Sequence, residues 1–104
     1  MKIFISMPMR GRTSDEINAS INKLKDKFRA KMPDAEFIHT IVMDTPPETG
    51  DQRVWYLGKS IEKLSQADII AVPVQNDSNP GCKVEELVAV LYGIDIAYYS
   101  PDDI

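Results

Sequence analysis

The 104 residues carry 16 acidic side chains against 12 Lys and Arg, a net charge of −4 and a pI near 4.9. That balance argues against a nucleic-acid polymer as partner, because phosphate backbones are held by clustered Lys and Arg. Length, a 43% hydrophobic and a 27% charged fraction fit one globular domain, residues 1–104, rather than a disordered or membrane-spanning chain.

A core this small supports a monomer only modestly, so a homo-oligomer is expected. The densest basic group, Lys23, Lys25, Lys27, Arg29 and Lys31, includes Asp26 and reads as a solvated helix face. Cys82 is the single cysteine, so no internal disulfide forms and nothing points to an oxidising compartment. The first residues lack the apolar length and small-residue cleavage site of a signal peptide, and no run approaches the ~20 apolar residues of a membrane span. No membrane partner is expected, and the expected location is the cytoplasm.

Ile3, Phe4 and Ile5 form an apolar run without alternation, the pattern of a parallel strand covered on both faces. Met7-Pro8-Met9-Arg10-Gly11 then reads as a loop. Thr13-Ser14-Asp15-Glu16 fits a capping box, and Ile17, Ile21, Leu24 and Phe28 mark one face of a helix ending near Met32-Pro33. Residues 35–39 give a second strand with Phe37 and Ile38 as its apolar pair. Residues 40–53, with Pro46, Pro47 and Gly50, make a connection long enough to be a functional cover.

Val54, Leu57, Ile61 and Leu64 mark a second helix, closing near Ser65-Gln66. Residues 67–74 form the clearest strand, with Pro73 near its end, where a missing donor is tolerated. A polar loop over residues 75–81 leads to a third helix. Val84, Leu87, Val88 and Leu91 are its expected buried stripe, and Gly93 is its natural stop. Residues 94–99 supply the last strand. The β-α-β-α-β-α-β order predicts an α/β fold with a flavodoxin- or Rossmann-like parallel sheet of four or five strands and helices on both faces. Ligands in such sheets bind beyond the carboxyl ends of the strands, which nominates the loops after Ile5 and Val74.

Glu85 is the sharpest chemical candidate. It falls at the edge of the expected stripe, about one turn into the helix, where a partly desolvated carboxylate could serve as nucleophile or general base. Asp68 opens a strand at the opposite end of the sheet and reads as a boundary residue. Asp77 and Ser78 lie at the correct end, to bind ribose hydroxyls or to cap the next helix, and Asn79-Pro80 reads as N-cap and N1. The loop from Met7 to Gly11 precedes a helix N-terminus, a common anion-binding arrangement in which Arg10 could hold a phosphate. Trp55 and Tyr56 could stack on a base or simply pack. His39, the only histidine, has no acid or Cys at ligand spacing, so no metal site is expected. Cys82, without a histidine partner, is expected to be structural.

Taken together, Met1-Lys2-Ile3-Phe4-Ile5-Ser6-Met7-Pro8-Met9-Arg10-Gly11 resembles the opening of the nucleoside 2-deoxyribosyltransferase-like superfamily. Gly81-Cys82-Lys83-Val84-Glu85, followed by Ala89 and Gly93, resembles its second signature, a Gly-x-x-x-Glu helix start. Trp55-Tyr56-Leu57-Gly58-Lys59-Ser60 with Ala67-Asp68 is similar to a small branch common in phages and bacteria.

The resemblance implies hydrolysis or transfer at the N-glycosidic bond of a nucleoside or nucleotide, with no cofactor. It implies Glu85 as nucleophile. Ser6, Met7, Pro8, Arg10, Gly11, Asp77, Ser78 and Gly81 become the candidate ligand-binding residues, the first-strand loop taking a phosphate. Lys83 and Glu86 beside Glu85 depart from the transferase pattern, and only Asp77 matches the further acids of that family. Those departures carry the alternative, a module that binds a nucleotide without cleaving it.

Overall fold

The computed structural model describes residues 1–38 and 44–104. Strand β1 (Lys2–Ile5) is buried from Ile3 onward on both faces. Its alternate side chains enter two separate cores. Ile3 and Ile5 point to one, with Ile21 and Leu24 of helix α1 (Ser14–Lys31). Phe4 points to the other, with Leu64 of α2 (Gln52–Leu64) and Cys82 and Ala89 of α3 (Pro80–Tyr92). Strand β3 (Ile69–Pro73) repeats the division, with Ala71 in the first core and Ile70 and Val72 in the second.

This explains the lack of polar alternation in both strands, since each face meets a helix. Full burial of a side chain the size of Phe4, Ile70 or Leu64 contributes about 2 kcal/mol.

Among the described residues all strand pairings are parallel. The order is β2-β1-β3-β4, with β2 (Glu36–Phe37) and β4 (Asp95–Tyr99) at the edges, followed by a 3₁₀ turn over Pro101–Asp103. The chain is therefore a four-stranded α/β fold of flavodoxin-like strand order, α1 covering one face and α2 and α3 the other. The direction of winding reverses between β1 and β3, and the crevice at that switch is where the site lies.

The capping box of α1 is present: Glu16 N donates to Thr13 Oγ1 at 3.1 Å and Thr13 N to Glu16 Oε1 at 3.3 Å. Strand β3 begins later than its apolar pattern implied, because Asp68 is occupied at the sheet's far end. Its carboxylate accepts from Lys2 N at 2.7 Å, which makes it a clasp on the start of β1. The second strand is shorter than residues 35–39, although Ile38 N still donates to Ile3 O at 2.9 Å. His39 and residues 40–43 of the long connection lie outside the described residues.

The expected stripe of α3 needs correction. Val88 packs partly against the second core as expected, but Leu87 and Leu91 are 54% and 68% exposed, and the buried residues are Cys82, Glu85 and Ala89. Apolar side chains occur all round this helix, so the pattern did not mark its inner face.

The α2 stripe is also uneven: Leu64 is fully buried while Val54 is 65% exposed. Leu64→Ala is expected to cost roughly 2–5 kcal/mol in urea unfolding, whereas Val54→Ala changes stability by less than about 0.5 kcal/mol. Equal costs would show that the two helix positions are buried alike.

Candidate functional site

Ser6 is the first residue beyond β1, and three bonds fix it. Its backbone N–H donates to Ala71 O at 2.8 Å, its carbonyl accepts from Tyr99 Oη at 2.6 Å, and its hydroxyl donates to Glu85 Oε1 at 2.8 Å. Ser6 is 1% exposed and Glu85 7%. The other carboxyl oxygen, Oε2, makes no hydrogen bond with a described residue, yet no fully buried side-chain oxygen among those residues lacks a partner. Oε2 therefore reaches the cleft.

That cleft, about 550 Å³, is formed by the end of β1 and its loop, the first turns of α2 and the start of α3. Its size suits a small organic ligand. Burial pushes the Glu85 carboxyl up to about 7 against the opposing effect of the Ser6 hydroxyl. Burial likewise pushes the Cys82 thiol up to about 11, so it remains a neutral packing group beside the carboxyl.

Of the residues expected to bind ligand, Ser6, Met7, Pro8, Arg10, Ser78 and Gly81 line the cleft together with Glu85. Gly11 and Asp77 do not. Gly11 has φ +74°, a left-handed turn that glycine adopts readily, one residue past the lining loop. Asp77 is held in an exposed ion pair with Lys83 at 3.1 Å. Asn79 and Pro80 take the N-cap and N1 positions as expected, but Asn79 makes no side-chain cap bond. The opening N–H groups of α3 thus lack a side-chain acceptor, and they stand at the cleft beside Gly81. Tyr56 lines the cleft, while Trp55 packs edge-on against it with ring centroids 5.1 Å apart.

No family model matches the chain, and no curated protein or solved structure matches it either. Function must then be argued from the chemistry of the site.

Several residues of the site carried no signal in the sequence. Arg12, not Arg10, organises the first loop: it donates to Pro8 O and Glu16 O, both at 3.2 Å, to Met7 Sδ at 3.4 Å and to Ser20 Oγ. Arg10 lines the cleft and makes no side-chain bond with a described residue, which leaves its guanidinium available to a ligand. Arg53 is the second cation of the lining. It grips Asp51 through two side-chain bonds of 3.2 and 2.9 Å and holds that carboxylate down at about 2, while Asp51 also caps α2.

Asn76, 4% exposed, ties the loop after β3 to α3 by donating to Pro73 O and Glu86 Oε2, both at 3.2 Å. Gln75 before it sits at φ 59°, the left-handed region, which turns the chain out of β3.

Among the described residues no group of three or more His, Cys, Asp or Glu comes together as a metal cage, and no helix is long and apolar enough to cross a membrane.

The raised Glu85 pKa links the site to folding. The folded chain keeps a proton that the unfolded chain, with an ordinary Glu pKa of 4.5, has released. Stability therefore falls as pH rises through the window from about 4.5 to about 7. Chemical unfolding of wild type and Glu85→Gln at pH 5 and pH 8 should show the wild type losing on the order of 3 kcal/mol more than the variant. Parallel pH dependence of the two would place the carboxyl's titration elsewhere.

Proposed function

We propose that this protein cleaves the N-glycosidic bond of a (deoxy)nucleoside or nucleotide, passing the glycosyl group to water or to another base, with Glu85 as the nucleophile. One observation carries the reading. A carboxyl lies on the floor of a ligand-sized cleft, held at one oxygen by Ser6, with no cationic partner among the described residues. A carboxylate buried without a countercharge is poorly stabilised by neutral surroundings and well stabilised by an oxocarbenium-like centre. The charge that forms on the sugar as the base departs is then stabilised more than the ground state is.

In the first step Glu85 Oε2 bonds to the anomeric carbon while the C–N bond breaks and its electron pair leaves with the base, which takes up a proton from solvent water. Water or a second base then attacks the same carbon, releasing the carboxylate. Arg10 and the N-terminus of α3 supply positive potential for a 5′-phosphate if the substrate carries one, Arg53 being paired with Asp51. Tyr56 lines the α2 side of the cleft, within reach of a base. A single buried thiol suits a reducing compartment such as the cytoplasm.

Base release from a panel of deoxynucleosides and their 5′-monophosphates, followed by chromatography, tests the reading. Wild type should release base, and Glu85→Gln should reduce the rate by at least about 100-fold. Because the nucleophile must be ionised and its pKa is near 7, kcat/KM should rise about tenfold between pH 6 and pH 8. An opposite slope would make Glu85 a general acid, and unchanged release by the variant would exclude it as the nucleophile.

A second reading has its own observation. The other acid among the described residues of the lining, Asp51, is committed to Arg53 and the α2 cap, so among those residues no second carboxyl stands ready to protonate a leaving base. That arrangement favours binding an intact nucleotide. A melting shift from one compound of the panel, without base release and retained in Glu85→Gln, would decide for it.

A further inference from the structure

We propose that the outer face of α3, with the neighbouring edge strand β4, is the contact through which two copies of this chain associate. The inner face of α3 is complete with Cys82, Glu85 and Ala89. Its outer side nevertheless carries Leu87, Val90 and Leu91 at 54%, 61% and 68% exposure, with Tyr92 at 80% on the last turn. Neighbouring apolar side chains left exposed together on one side of a helix mark an interaction surface. Tyr98 of β4, 55% exposed, extends the surface toward the sheet edge, because α3 packs directly against β4.

β4 pairs only with β3 among the described strands. Its sequence, Asp95-Ile96-Ala97-Tyr98-Tyr99, holds neither the Lys nor the Pro that commonly protects an open edge.

Area and charge favour a second copy as the occupant. Five side chains of this size at these exposures present on the order of 600 Å², near the ~800 Å² each partner brings to a standard interface. The exposed side chains of α3 in this contact, Leu87, Val90, Leu91 and Tyr92, are uncharged; beside them Lys83 and Glu86 lie 3.7 Å apart in an ion pair, and Asp95 stands at the far start of β4. Two molecules of net charge −4 therefore meet there without opposing like charges. A two-fold arrangement, in which the patch faces itself, closes after two copies.

Light scattering and sedimentation from about 1 to about 100 μM read the mass directly. Wild type should reach twice 11.7 kDa. The double variant Val90→Glu, Leu91→Glu should remain at the monomer mass with an unchanged far-UV spectrum, because both side chains are exposed in the single chain. Mild oxidation of Leu91→Cys should yield a covalent dimer, whereas Lys25→Cys on α1 should not.

A wild type at the monomer mass throughout overturns the proposal and leaves the patch to a different partner. A dimer that survives the double variant, or equal crosslinking from α1, overturns this surface as the contact. These readings use mass rather than turnover, so they stand or fall apart from the assignment of Glu85.

Discussion

The hydrogen bond from Ser6 to Glu85 joins the first strand to the third helix across 79 positions of sequence, and the site is built around it. A carboxyl placed between Cys82 and Ala89 on the inner side of α3 interrupts an apolar core, and its charged form is costly there. One donated bond offsets part of that cost, and the cleft wets the other oxygen. The remainder appears as a carboxyl that holds its proton to about pH 7. An apolar residue at position 85 would pack more favourably. Retaining an acid there is the kind of local conflict with stability that marks a functional position.

Precision in that bond comes from elements that never touch a ligand. Ser6 continues the β1–β3 ladder through its N–H, so the sheet fixes its height. Tyr99, at the end of β4, holds its carbonyl and fixes its rotation. Arg12 gathers the carbonyls of Pro8 and Glu16 and the hydroxyl of Ser20, so the loop that follows is pinned to α1. Three strands and one helix thereby converge on Ser6, at the point where the winding of the sheet reverses.

Much of this was legible in the sequence because it is local. The unalternating runs of β1 and β3 gave strands buried on both faces, and Thr13 with Glu16 gave the start of α1. Gly93, at φ +74°, gave the end of α3. Long-range pairings were not legible: nothing near Ser6 announces Glu85 or Tyr99, and Arg10 and Arg12 look alike until Ser20 and Pro8 are brought beside one of them. The α3 stripe failed for a different reason. With apolar residues spread round its second half, periodicity cannot tell a face that meets the sheet from one that meets solvent, and Glu85, which the stripe puts at its edge, is buried on the inner face.

The two faces of α3 bear on each other through water. Glu85 keeps its raised pKa only while the inner face of the helix stays closed on the sheet, since transient opening would hydrate the carboxyl and return it toward an ordinary value. The last turn carries Val90, Leu91 and Tyr92 in solvent, and it has no basic residue to favour its C-terminal end. In a lone chain that end gains little from its own side chains. On the proposal that a second copy covers it, association would hold α3 down along its whole length and leave the cleft as the carboxyl's one route to water. Coupling of this kind needs no change of shape, only a reduction in how often the helix lifts from the sheet.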